Sequence, residues 1–144
     1  MKREFLVAAA GATIIVGGCA TSNAAPSGPV VLIDGQDQGV EDMKVYCHSL
    51  PAIGPTGSVG ELFNVAIGNT GGIQVTTTGT PMLEHFGFAK QPYNLEYQWG
   101  QRPDVDAKTV LIQTGKSYKV SGTATGYELQ TAVTKSFEAE VSCP

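Results

Sequence analysis

Three cysteines and two histidines are the residues of this 144-residue chain best suited to covalent or metal chemistry. His48 directly follows Cys47, and His85 follows Glu84. Neither sits in a ligand spacing pattern, and a zinc site needs three or four convergent ligands, so no metal is expected. Asp34, Asp37, Glu41 and Asp42 form an acidic stretch. It lacks the alternating oxygen ligands and the distal glutamate of a calcium loop, and it reads as a turn. Gly57-Ser58-Val59-Gly60 places its first glycine one position too close for a Gly-x-Ser-x-Gly nucleophile elbow. The sequence holds no phosphate loop or dinucleotide fingerprint. No catalytic set and no cofactor follow, and the chain reads as non-enzymatic.

Cys19 carries the one covalent chemistry that its neighbours support. Lys2 and Arg3 precede an apolar run from Phe5 to Val16. That run has about a dozen residues, where a helix needs about 20 to cross a hydrocarbon core. It fits the apolar region of a secretory signal. Val16-Gly17-Gly18-Cys19 then resembles a bacterial lipobox. Its thiol would form a thioether to a diacylglycerol, and the small glycines would give a peptidase access to the bond before it. Two acyl chains anchor stably where one does so only marginally. An ordinary signal peptide cut elsewhere is the alternative. Residues 1–18 are thus read as signal, 19–29 as the lipidated cysteine and a flexible tether, and 30–144 as the globular domain. The tether reads ATSNAAPSGP, small and polar with two prolines. Thr21, Ser22 and Ser27 are either acceptors for O-linked sugar or plain spacer.

The charge balance limits the partners. Lys plus Arg total 9 and Asp plus Glu total 13, for a formal net charge of −4. Removal of Lys2, Arg3 and Glu4 with the signal makes it −5. A nucleic-acid binder would carry a basic patch, so no nucleic acid is expected. Adhesion to an anionic membrane face by charge is also disfavoured. The lipid itself would hold the protein to the outer face of the cell membrane or envelope.

From Val30 onward the apolar period is two, the signature of strands. Val30 to Ile33 ends at the turn pair Asp34-Gly35. Met43, Val45 and Cys47 alternate with Lys44 and Tyr46, and Phe63, Val65 and Ile67 with Asn64 and Ala66. Ile73, Val75 and Thr77 follow, then Tyr93, Leu95, Tyr97 and Trp99, and the short run with Val110 and Ile112. Tyr118, Val120, Gly122 and Ala124 line one face, and Val133, Phe137, Ala139, Val141 and Cys143 the last, interrupted by Lys135. Short strands separated by turn signals predict an all-β, mainly antiparallel domain, a small sandwich or open barrel. At most one short helix is expected, in the 50s or near Met82 to Phe88. Cys47 and Cys143 each end an inward-facing stripe. A pair of cysteines in an exported domain reads as a disulfide, with two buried free thiols as the alternative.

The stripe Tyr93, Leu95, Tyr97 and Trp99 admits more than one use. Aromatics at alternate positions commonly fill a core. They can instead wall an apolar ligand cavity or form a partner surface. A core role is the preferred expectation. A carrier of a lipid or other apolar ligand is the rival, and it requires a cavity of several hundred Å³.

The lipobox, VVLIDGQDQGVEDMKVYC, FNVAIG and the closing YKVSGTATG and VTKSFEAEVSC together resemble the mycobacterial LpqH-type lipoprotein antigen family. The resemblance covers both ends and the start of the middle, roughly half of the mature chain, and the closing block is the most specific part. It implies a surface-anchored envelope lipoprotein with no enzymatic role. It also implies that host innate immune receptors recognise the acylated N-terminus.

Overall fold

The computed structural model describes residues 28–53, 59–77 and 79–144. The signal, Cys19 and the tether residues up to 27 lie outside the described residues. Strands β1 (Val30–Ile33) and β2 (Gln36–Asp37) form a hairpin on Asp34-Gly35. Both turn residues have positive φ, 49° and 81°, as a two-residue hairpin loop requires. The chain continues through β3 (Val45–Ile53), β4 (Val59–Ile67), β5 (Gly71–Thr76), β6 (Met82–Lys90) and β7 (Tyr93–Gln98). The one helix among the described residues, the short turn α1 (Pro103–Asp106), precedes β8 (Val110–Thr114), β9 (Ser117–Glu128) and β10 (Thr131–Ser142).

These strands make one antiparallel sheet in the order β2-β1-β10-β9-β7-β6-β5-β4-β3. The long β9 pairs with β10 along its whole length. On its other side it pairs first with β8, at Ser117 to Ser121, and then with β7, at Thr125 to Glu128. The expected all-β, antiparallel architecture is therefore observed, as a half-barrel.

A sheet with one apolar face must bury it against something, and here it buries it against itself. On β10, Phe137, Ala139 and Val141 are buried while Glu138 and Glu140 are exposed. On β7, Leu95 and Tyr97 are buried while Asn94, Glu96 and Gln98 are exposed. Phe137 stacks on Phe86 of β6 with centroids 4.0 Å apart, although β9 and β7 lie between β10 and β6 in the sheet. Phe63 of β4 stacks on Tyr118 of β9 at 5.6 Å. Both pairs require the sheet to curl over on itself. Gly122, opposite Phe137 in the register, makes room for this: a Cβ there would come within 3.1 Å of the Phe137 ring.

The two edges of the curled sheet are joined by residues 38–44, which run from β2 to β3. Seven residues span at most about 25 Å, so topology alone draws the edges together. Val40 from this segment is completely buried. The Lys90 ammonium donates to the carbonyls of Gln38 and Gly39, and the Gln38 amide to Val31 O at 2.9 Å. The Cys47–Cys143 disulfide completes the closure, with Cα atoms 5.9 Å apart. It joins the edge strand β3 to the residue that follows β10. The expected disulfide is thus present.

Two expectations are corrected. Among the described residues the short helix lies neither at 50–53 nor at Met82 to Phe88. Residues up to Ile53 belong to β3, and residues 54–58 lie outside the described residues. Met82–Lys90 is β6. Its register against β5 shifts between Gln74, paired with His85, and Val75, paired with Leu83. This bulge inserts Glu84, so Leu83 and Phe86 both face inward at a spacing of three. That spacing imitates a helical stripe. The actual helical turn starts at Pro103, a favoured first helical residue. The second correction concerns Trp99, which is 43% exposed and does not extend the core stripe. Pairing between β6 and β7 ends at His85 and Gln98. The Trp99 amide donates to Glu84 O at 2.9 Å, and the chain turns at Gly100, with φ of 89°.

Two measurements follow. Phe137→Ala should cost about 3–5 kcal/mol, whereas Trp99→Ala, at a half-open position, should cost under about 1 kcal/mol; chemical denaturation of both variants compares them. The disulfide spans a separation of 96 residues, for which chain entropy gives about 4.7 kcal/mol. Reduction should therefore lower the melting temperature by more than about 10 °C, as read by circular dichroism with and without reductant.

Candidate functional site

The inner face of β7 ends in a buried polar cluster. Tyr97, 4% exposed, donates its hydroxyl to Asp106 Oδ1 at 2.8 Å. The Gly100 amide donates to Asp106 Oδ2 at 3.0 Å. Asp106, 9% exposed, thus ties α1 to both β7 and the turn after it. Burial pushes the Tyr97 phenol upward, and the Asp106 carboxylate adds to the shift. Thr109 follows α1 and donates to Val105 O at 3.0 Å. Neither Asp106 nor Thr109 stood out in the sequence. The available signal was Pro103 followed by Asp104 and Asp106, the acidic first turn of a helix.

Two concavities touch this cluster. One, of about 100 Å³, is lined by Pro81, Met82, Trp99, Asp106, Thr109 and Leu111 among others. The other, of about 30 Å³, lies between Glu96, Gln98, Arg102 and Thr123. Both are well below the several hundred Å³ that a lipid-sized ligand needs. A larger hollow of about 450 Å³ lies on the β9–β10 hairpin by Tyr127, Ala132 and Thr134, but it is shallow and open. The four residues of the aromatic stripe are therefore divided. Leu95 is packed in the core, Tyr97 joins core to cleft, and Trp99 lines the cleft.

Tyr93, half-buried, belongs to a different cluster near the β1–β2 turn. Lys135, the one polar member of its stripe, reaches Asp34 Oδ2 at 3.1 Å and Glu128 Oε1 at 3.8 Å. Its ammonium lies 5.9 Å from the Tyr93 ring centroid. Asp34 also accepts from the Ser136 amide at 3.0 Å and hydroxyl at 3.1 Å. These bonds, the amide first and then Lys135, hold the Asp34 carboxyl below its ordinary value. The hydrogen bond to Asp34 pushes Lys135 upward. Burial, then Glu128, raises the Tyr93 phenol. The other acidic residue of this stretch with a defined partner, Asp37, accepts from the Gly39 amide at 2.8 Å. That contact is local turn chemistry.

The histidines stay apart. His85 Nε2 lies 3.2 Å from Glu96 Oε1 across two strands, and His48 is exposed on β3. Among the described residues no three His, Cys, Asp or Glu side chains converge on a metal position. Cys19 lies outside the described residues. Gly28 packs so closely under Glu41 that a Cβ would meet its carbonyl at 2.1 Å. The chain enters β1 at Val30, opposite Glu140 and three residues before Cys143. It therefore enters the sheet near the disulfide.

The Asp34 shift fixes a pH dependence. A carboxyl with a lowered folded-state pKa gives stability that is complete above its unfolded value of about 3.9. This stability is lost as pH falls through the folded value. Lys135 acts oppositely: its contribution is complete below its unfolded value of about 10.4 and is lost as pH rises through the folded one. Asp34→Asn should flatten the acid limb of denaturation midpoint against pH and weaken the alkaline limb. An acid limb as steep as that of the unaltered chain would contradict the assignment.

Comparison with known proteins extends the resemblance through the middle of the chain. The Mycobacterium 19 kDa lipoprotein antigen family matches residues 22–143, a span that includes Tyr93, Tyr97 and Trp99. Lipoprotein LpqH of Mycobacterium tuberculosis and of Mycobacterium bovis are each 34% identical to this chain, over 99% of both sequences. On these matches the chain belongs to the Mycobacterium 19 kDa lipoprotein antigen family.

Proposed function

We propose that this chain is an exported, non-enzymatic lipoprotein, held to the outer face of the cell membrane or envelope by acyl chains on Cys19. The observation that carries this reading is Val16-Gly17-Gly18-Cys19, placed directly after a signal-length apolar run. Relatives that bear the name lipoprotein along their whole length support it. The fold is consistent with a load-bearing display domain. The tether feeds β1, which pairs with β10, and the disulfide ties the end of β10 to β3. Among the described residues, no helix is long and apolar enough to cross a membrane. The small clefts around Tyr97 weigh against transport of a whole lipid. On this reading the partners are the membrane, through the N-terminal lipid, and host innate immune receptors that recognise the acylated N-terminus.

Cys19→Ala tests the anchor. The variant should remain an unprocessed, unacylated precursor. The purified variant should lose stimulation of receptor reporter cells that the acylated protein activates. Mass spectrometry that finds a diacylglycerol-bearing N-terminus in the variant would overturn the proposal.

A further inference from the structure

The cleft beside Trp99 has two chemically distinct walls. Trp99, Pro81, Met82 and Leu111 supply apolar surface, and Asp106 and Thr109 supply oxygen. Trp99 is the chain's only tryptophan and is 43% exposed, although its neighbour two residues back is a core residue. Its backbone is fixed, because its amide is bonded to Glu84 O and Gly100 is bonded to Asp106. The ring is thus offered to solvent from a rigid turn. Such preorganisation reduces the ordering cost of binding.

The polar wall is equally built. Each Asp106 oxygen accepts one bond from the protein, and a carboxylate oxygen has two lone-pair sites. One acceptor site per oxygen therefore remains. The Thr109 hydroxyl is bonded both to Val105 O and to the Tyr97 hydroxyl, and its oxygen keeps lone-pair capacity to accept a further bond. The cleft thus asks for a ligand that donates several hydrogen bonds from one side and has an apolar face on the other. At about 100 Å³ it takes part of a ring and leaves the rest in solvent. An acyl chain offers no donors and would leave a buried carboxylate facing hydrocarbon, which is costly. A phosphate or other anion would be repelled by Asp106.

We propose that this cleft is a saccharide-binding site that takes the edge of a pyranose, with Trp99 stacked on its C–H face and Asp106 and Thr109 accepting from its hydroxyls. Such a site gives an envelope-anchored domain a means of docking on surrounding glycans that does not involve the lipid. It stands independently of the anchor, because binding is measured on the protein in solution.

The test titrates the full chain, solubilised in detergent, with a panel of methyl pyranosides and separately with decanoate. Saturation-transfer NMR and Trp99 fluorescence are the readouts. At least one pyranoside should saturate both signals in the millimolar range. Trp99→Ala should weaken its binding at least tenfold by NMR, Trp99→Tyr should retain most of it, and Thr109→Val should weaken it several-fold. A saturable response to decanoate but to none of the pyranosides would overturn the proposal in favour of an apolar site. So would pyranoside binding by Trp99→Ala within twofold of the unaltered chain.

Discussion

Closure of one curled sheet is the constraint on which everything else depends. A single sheet of this kind has one apolar face and two open edges, and neither is stable in water without cover. The protein solves both problems by folding the sheet over itself around the Phe86–Phe137 stack. Residues 38–44 bridge the two edges and bury Val40 between them. The Cys47–Cys143 bond then makes the closure covalent. Without it, β3 would be held only by β4 on one side, and its distal half, where Leu50 and Pro51 are exposed, packs little apolar surface. Pro51 also blunts that edge, because it offers no donor to a further strand.

The same closure determines how firmly the first strand is held. The first strand is short, four residues in β1, and would peel easily if paired alone. Its partner β10 is paired on both sides and clamped at its end by the disulfide. The Cys143 amide also donates to Lys116 O at 2.9 Å, and Ser117 and Ser142 share a hydroxyl bond of 2.7 Å. The first strand of the sheet is therefore held at a densely connected corner of the fold. At the other end of β1, the cluster of Asp34, Lys135, Glu128 and Tyr93 holds the β1–β2 turn to the main sheet.

The cleft at Trp99 is a product of two irregularities in adjacent strands. The bulge at Glu84 bends β6, and β7 stops one residue before Trp99. The chain then needs a short connection back to β8, and α1 supplies it. Asp106 from this turn accepts the proton of the buried Tyr97 hydroxyl, whose other side-chain partner is Thr109; a donor left without an acceptor inside the core costs about 1–3 kcal/mol. The residue that completes the core thus also places a carboxylate beside an exposed indole. Structural need and recognition chemistry coincide at one side chain.

What the sequence determined by itself was local and periodic. The alternation in β10, from Val133 to Val141, and in β7, from Tyr93 to Tyr97, follows from the two-residue repeat of an extended chain. The Asp34-Gly35 turn follows from the positive φ such a hairpin demands. The inward parity of Cys47 and Cys143 was enough to suggest their pairing. What only the tertiary structure decided depends on partner strands. Strand β6 carries an inward spacing of three, and only its register against β5 shows that a bulge rather than a helix produces it. Trp99 continues the stripe of β7 in sequence, yet the pairing that would keep it inward ends at Gln98. Asp106 and Thr109 belong to a segment with no periodicity, and their role appears only when α1 folds back over Tyr97. Alternation records which face a residue takes within a strand; where the strand ends and what lies across the layer are set by contacts between residues far apart in the chain.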